Sequence, residues 1–179
     1  VGAGHTSANL DYAGTSSLAL NSGTIQDAAS NDATLTLANP GTANSLGNSK
    51  ALVIDTTVPT VTNVTSTTTD GTYKQGEVIP ITVTFSELVN VTGIPQITLE
   101  TGGTDAVVDY SSGKGTSTLI FNYTVAAGHT SANLDYAGTS SLALNSGTIK
   151  DAALNVATLT LASPAASGSL GNSKALVID

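Results

Sequence analysis

Hydrophobic and polar residues alternate with a period of two along several short segments of the chain. In the clearest segment, Ile79, Ile81, Val83 and Phe85 alternate with Pro80 and polar residues, and a second segment runs from Leu119 to Val125. Such alternation is typical of strands that bury one face. Shorter apolar segments predict strands at 61–65, 97–99, 106–110, 142–144, 159–161 and 174–178, with turns at 67–77 and 146–155.

These elements predict an all-β protein, because no segment keeps a helical period. Seven to nine short strands over about 120 residues, separated by Gly-rich turns, are typical of an antiparallel β-sandwich. The strand that starts at Ile79 should run antiparallel to the first strand. It should therefore end at Ser86-Glu87, at the same pole at which the chain enters the fold.

An internal repeat defines the domain organisation. Residues 1–55 match residues 125–179 without a gap, at an offset of 124, and 46 of the 55 positions are identical. A period of this length suits a whole domain. Residues 56–179 are thus predicted to be one complete repeat, with residues 56–124 as its front half and 125–179 as its back half. Residues 1–55 are then a second back half, truncated on its N-terminal side, and we expect the chain to be a slice of a tandem array.

The composition narrows the possible partners. The chain has 13 acidic and 5 basic residues, a formal charge of −8, and no Cys, Met or Trp. Nucleic acid binding needs a basic face, so we expect no nucleic acid partner. No apolar run approaches the roughly 20 residues that cross a bilayer. Disulfides and thiol metal sites are excluded.

Several motifs in a fixed order resemble a known family. They are DTTVPTV at the joint between the copies, DGTYKQGEVIPITVTFSE, VTGIPQITLETG and LNSGTIKDAALN. Together they look like the tandem bacterial immunoglobulin-like (cadherin-like) β-sandwich repeats of large secreted or cell-surface adhesins. The resemblance implies an extracellular or cell-surface location, a structural or adhesive role, and calcium at the joints. One departure is the turn Asp151–Asn155, where the family commonly has Gly at the fourth position and this chain has Leu154, or Ser30 in the earlier copy.

The joint is the predicted metal site. Calcium prefers 6 to 8 oxygen ligands supplied by carboxylates and carbonyls. Asp55 enters the complete repeat, Glu87 ends a strand at that pole, and the turn Asp151–Asn155 could reach the same pole. The predicted ligands are therefore Asp55, Glu87, Asp151 and Asn155, with Asp27 and Asn31 as the pair in the earlier copy and Asp179 at the next joint. The alternative is that these residues are polar only because they lie in solvated turns and strand ends.

Two classes of function stay open from the sequence. The first is a structural module of an extracellular stalk, array or filament, which contacts neighbouring repeats or identical subunits. The alternative is a module that binds a carbohydrate or another surface, although 5 Tyr, 2 Phe and no Trp offer few aromatic platforms. We predict no enzyme, since the chain has neither a nucleophile elbow nor an evident carboxylate pair. His5 and His129 are one position seen twice, and a solvated loop histidine is the favoured interpretation.

Overall fold

The computed structural model describes all 179 residues, and its contacts divide the chain into two units. The first unit is Val1–Thr57 and the second is Val58–Asp179. The β class is confirmed, because strands account for most of the regular structure. Two single-turn helices, α1 (Leu46–Ser49) and α2 (Leu170–Ser173), are the only helices. Neither is long or apolar enough to cross a membrane.

All ten strands lie in the second unit. Their bounds are β1 (Val61–Ser66), β2 (Gly71–Tyr73), β3 (Val78–Thr92), β4 (Gln96–Glu100), β5 (Ala106–Ser112), β6 (Thr116–Thr124), β7 (Asp135–Tyr136), β8 (Leu142–Ala143), β9 (Thr148–Lys150) and β10 (Leu176–Ile178). Eight strands form one curled antiparallel sheet in the order β1-β3-β6-β5-β4-β7, with β8 beside β4 and β9 beside β3. The remaining two, β10 and β2, pair in parallel.

The two strongly alternating segments form the centre of the sheet. Strands β3 and β6 are antiparallel neighbours, with Ile81 opposite Phe121 and Ile79 opposite Tyr123. The apolar positions of both strands lie on one buried face, where Ile79, Ile81 and Phe121 have no exposed surface. Burying each of these side chains contributes about 2 kcal/mol. The sequence pattern therefore identified the core of the second unit.

The predicted end of the central strand is wrong. Strand β3 is 15 residues long and ends at Thr92, so Glu87 lies inside it rather than at its end. The pairing of β3 with β6 shifts in register between Thr84 and Val89, and beyond that irregularity β3 pairs with β9. A bulge in a long strand interrupts the alternation and redirects side chains, which is why the sequence suggested a strand end.

Three other local predictions also differ from the structure. The predicted turn at 67–77 contains β2, and the predicted turn at 146–155 contains β9. The segment 159–161 is not a strand, although Leu161 is buried, and its N–H donates to the Thr139 carbonyl. A short strand and an extended loop can have similar local sequences, because pairing with another strand is what distinguishes them.

The first unit has no strand, although its sequence repeats the back half of the second. It contains α1 and two isolated bridges, Ser7 with Ile54 and Gln26 with Asp32. These bridges correspond to Ser131 with Ile178 and Lys150 with Val156 in the second unit. The back half thus keeps its own pairings in both copies, and the strands of the second unit depend on the front half.

Candidate metal site

Glu87 is positioned by the irregular part of β3. It lies between Thr84 and Val89, where the ladder with β6 is interrupted. The residue is half-buried, and its Oε1 atom is shielded from solvent. Burial of a carboxylate oxygen is costly unless a positive charge or hydrogen-bond donors compensate it. Glu87 is therefore a carboxylate with limited access to water, in contrast to the exposed acidic residues of the loops.

Asp151 lies in the turn that follows β9, and its carboxylate organises that turn. Oδ1 accepts a hydrogen bond from the Asn155 N–H at 2.8 Å, and Oδ2 accepts one from Asn155 Nδ2 at 2.7 Å. The Asp151 N–H in turn donates to the Asn155 carbonyl at 3.1 Å. Only 3% of Asp151 is exposed. Asp151 and Asn155 are thus brought together, as the sequence predicted.

The fourth residue of this turn has an unusual backbone conformation in both copies. Leu154 has a φ of 70°, and the corresponding Ser30 in the first unit has a φ of 66°. Both residues therefore have the left-handed conformation that favours glycine. Both copies therefore have a strained non-glycine residue at the fourth position of this turn.

Two carboxylates meet at one point of the second unit. A carboxylate oxygen of Glu87 and one of Asp151 lie within 4.8 Å of each other. Pairing between β3 and β9 brings this about, because Asn90 lies opposite Lys150, the residue before Asp151. Two negative charges at this separation repel each other. A hard divalent cation would relieve the repulsion, and these oxygens are ligands that calcium accepts.

Asp55 belongs to the first unit and lies three residues before the second begins. Its Oδ1 accepts a hydrogen bond from the Thr57 N–H at 2.9 Å, and the residue is half-buried. Further along the chain, the Thr60 N–H donates to Ser86 Oγ at 3.0 Å, and the Ser86 N–H donates to the Thr60 carbonyl at 2.8 Å. The first residues of the second unit are thus held next to the chain neighbour of Glu87.

The remaining predicted ligands lie elsewhere. In the first unit Asp27 and Asn31 form the same turn as Asp151 and Asn155, and Asp27 Oδ2 accepts from Asn31 Nδ2 at 2.9 Å. The side-chain hydrogen bond from Asn31 lowers the pKa of the exposed Asp27, and the Asn31 backbone N–H adds to this. Asp179 is exposed at the end of β10, and its N–H donates to the Tyr73 carbonyl. The clustered carboxylates do not include Asp27 or Asp179.

Sequence reasoning missed one buried carboxylate. Asp135 is 9% exposed, and it accepts hydrogen bonds from the Tyr136 N–H at 2.9 Å and the Ala165 N–H at 2.8 Å. Its Oδ2 also lies against Gly171, where a Cβ atom would approach to 2.7 Å. Asp135 therefore fixes the loop before α2. The repeated LDYAG motif was the available signal, but the sequence could not show that this Asp binds backbone.

The histidine of the repeated loop is not a solvated side chain in the second unit. His129 is half-buried, and its Nδ1 lies 2.9 Å from Tyr123 Oη, with the two rings stacked at a centroid distance of 5.8 Å. Burial raises the pKa of Tyr123 to about 12. Only the exposed His5 of the first unit agrees with the prediction of a solvated loop histidine.

No family model, curated protein or solved structure matches the chain. Its fold defines it as a mostly antiparallel β protein, and its candidate site is a close pair of carboxylates, of which Asp151 is buried and Glu87 is half-buried.

Proposed function

We propose that the chain is a structural repeat of an extracellular surface protein, part of a stalk, adhesin array or filament. Its modules would be immunoglobulin-like β-sandwiches that follow one another at intervals of 124 residues. The observation that carries the proposal is the repeat itself: 46 of 55 positions are identical between the two back halves. Near-identical copies suit a spacer, in which the length of the array is the selected property and no copy needs its own active site.

The joint supports the same proposal. It contains Val58-Pro59, and proline restricts the preceding residue to extended conformations. A short, stiff connection is expected between modules that must transmit force or hold a distance, whereas Gly/Ser-rich linkers are flexible. The low density of charge and the absence of cysteine are also compatible with a long extracellular array.

We further propose that calcium stiffens the joint. Glu87 and Asp151 would supply carboxylate oxygens from the second unit, with Asn155 in support of Asp151. Asp55 would supply a third carboxylate from the joint, because the chain that follows it is held beside Ser86. Asp179 would play the part of Asp55 at the next joint. Each oxygen of Asp151 already accepts a hydrogen bond, but a carboxylate oxygen has a second lone pair for a cation.

Calcium titration of the full chain tests the site. At 100 times the dissociation constant, binding adds about 2.7 kcal/mol of stability, which raises the melting temperature of the second unit by roughly 10 °C. Glu87→Gln should abolish this rise, whereas the control Asp105→Asn, which removes an exposed carboxylate elsewhere, should keep it. In EDTA, Glu87→Gln should melt above the parent, because it removes the repulsion with Asp151.

Identical melting with calcium and with EDTA would refute the metal site. Asp55→Asn tests the joint separately: weaker calcium binding supports a ligand there, and unchanged binding restricts the site to Glu87 and Asp151. The location is tested on the source cells, where antibodies against residues 56–124 should label intact cells, and labelling only after lysis would contradict it.

The alternative function, binding of a carbohydrate or another surface, has one feature in its favour. A shallow groove of about 460 Å³ lies between β5 and β6 and is lined by Asp105, Asp109, Asn122 and His129, among others. Such polar side chains can bind sugar hydroxyls, but the only Phe, Tyr or Trp in the lining, Tyr123, is 1% exposed. A glycan-array signal from the full chain that Asp109→Asn removes would favour this alternative over a purely structural role.

A further inference from the structure

The first unit has an apolar face whose equivalent in residues 125–179 is largely buried. Its exposed leucines and isoleucine are between 38% and 47% accessible: Leu18, Leu20, Ile25, Leu46 and Leu52. The identical residues of the second unit are buried or partly buried, with accessibilities of at most 4% for four of them: Leu142, Ile149, Leu170 and Leu176. The amino acids are the same, so the difference lies in what covers them.

In the second unit the front half supplies that cover. Leu142 of β8 lies opposite Ile97 of β4, and Ile149 of β9 lies opposite Val91 of β3. Leu176 of β10 pairs with Gly71 of β2. Three of the apolar positions exposed in the first unit thus correspond to positions that a strand between residues 58 and 124 covers in the second.

The first unit nevertheless keeps the internal geometry of a back half. The Leu10 N–H donates to the Leu52 carbonyl at 2.7 Å, as Leu134 does to Leu176 at 2.7 Å. Tyr12 Oη donates to the Ala38 carbonyl at 2.7 Å, as Tyr136 Oη does to Ala162 at 2.6 Å. The apolar face is therefore held in the arrangement that accepts a front half in the other copy.

An open cavity lies beside His5 in the first unit. It measures about 520 Å³ and is lined by His5, Leu10 and Ile54, together with Val1, Gly4, Thr6 and Ser7. The equivalent of His5 is His129, which stacks on Tyr123 and bonds its hydroxyl. The space beside His5 thus corresponds to the place of an aromatic residue from a front half.

We propose that residues 1–55 form a docking surface for a segment with the chemistry of residues 56–124. That segment must be additional to the one in this chain. Residues 1–179 include two back halves and one front half, so a second copy of these residues could cover this face only by exposing its own residues 125–179. The proposal depends on the repeat, and neither calcium nor an extracellular location enters it.

The test extends the full chain with a second copy of residues 56–124 placed before Val1, which recreates the Thr124–Val125 connection. In the 179-residue chain the Leu10 amide should exchange its hydrogen on the order of 100-fold faster than the equivalent Leu134 amide, because the first unit opens more easily. In the extended chain the two rates should become equal, and the binding of an apolar dye should fall. The Leu134 amide reports in the same sample that the second unit is folded.

A matched control carries Ile97→Asp in the added copy alone, which places a charge where Leu18 should pack. It should restore fast exchange at Leu10 and leave Leu134 unchanged. Exchange at Leu10 that the extension does not slow, or that both extended chains slow equally, would overturn the proposal. A concentration-dependent dimer of the 179-residue chain that protects residues 1–55 would also overturn it, since a second copy would then be the partner.

Discussion

The two back halves have nearly the same sequence and very different environments. Leu52 is 41% exposed and its twin Leu176 is fully buried, and Ile25 is 47% exposed where Ile149 is fully buried. Several hydrogen bonds within each copy are nevertheless the same, such as those from the Leu10 and Leu134 N–H groups to the Leu52 and Leu176 carbonyls. The comparison separates what a segment does alone from what it does with a partner: turns and short-range bonds persist in both copies, whereas strands and a core form only in the copy with a front half.

The largest expected difference concerns a buried leucine. Leu176→Ala should destabilise the second unit by about 3 kcal/mol, because it removes a fully buried side chain and leaves a cavity. Leu52→Ala should cost less than about 1 kcal/mol, because Leu52 is partly in solvent already. Urea unfolding of both variants measures the two losses in the free energy of unfolding. Equal losses would show that Leu52 is buried in solution and would break the comparison.

Alkaline pH should produce the next largest effect. Burial, together with the nearby Asp135 charge, raises the pKa of Tyr136 to about 12, whereas an unfolded tyrosine has a pKa of about 10. The folded state therefore retains a proton that the unfolded chain releases. The resulting stability is fully present below pH 10 and is lost as the pH rises through 12. Tyr123, with a pKa also raised to about 12, adds to the loss.

Denaturation at several pH values between 8 and 12 measures this slope. Tyr136→Phe should flatten it in part, and it should also lower the stability at pH 8, because the hydroxyl bond to the Ala162 carbonyl is lost. If Tyr136→Phe left the dependence of stability on pH unchanged, the Tyr136 hydroxyl would not retain its proton in the folded state.

The smallest effect is a gain in stability. Leu154→Gly should stabilise the second unit by about 1 kcal/mol, because glycine has no steric cost at positive φ. The side chain it removes is 71% exposed and contributes little packing. Ser30→Gly is the matched change in the first unit, where a φ of 66° predicts a similar local relief. A destabilised Leu154→Gly would indicate that the turn changes its conformation in solution.

Part of the fold was predictable because its signal is periodic. The alternation around Ile81 and Phe121 identified the two central strands, since a period of two is a local property of a half-buried strand. The position of Glu87 was not predictable, because the bulge in β3 depends on pairing with β6 and then with β9. The parallel pair of β2 with β10 was missed for the same reason: its partners are more than 100 residues apart.

The sequence predicted the residues of the candidate site and the pole at which they lie, but not the strand pairing that brings them together. The turn at Asp151 follows from the spacing of Asp and Asn, and its hydrogen bonds are local. The approach of Glu87 to Asp151 arises from pairing between β3 and β9, and no motif encodes it. The role of Asp135 could not be predicted from the sequence. A buried carboxylate that accepts hydrogen bonds from backbone N–H groups has no local sequence pattern that distinguishes it from a solvated carboxylate.

The sequence by itself determined the backbone of the repeated half. Positive φ angles occur at matching positions in both copies even where the residues differ, as at Asn44 and Gly168 or at Gly41 and Ala165. Turns and caps involve residues close in the chain, so they form wherever the sequence occurs. Only the tertiary structure decided which leucines are buried and which carboxylates meet. Both depend on strands contributed by the front half, and the hydrophobic effect acts only where such strands exclude water.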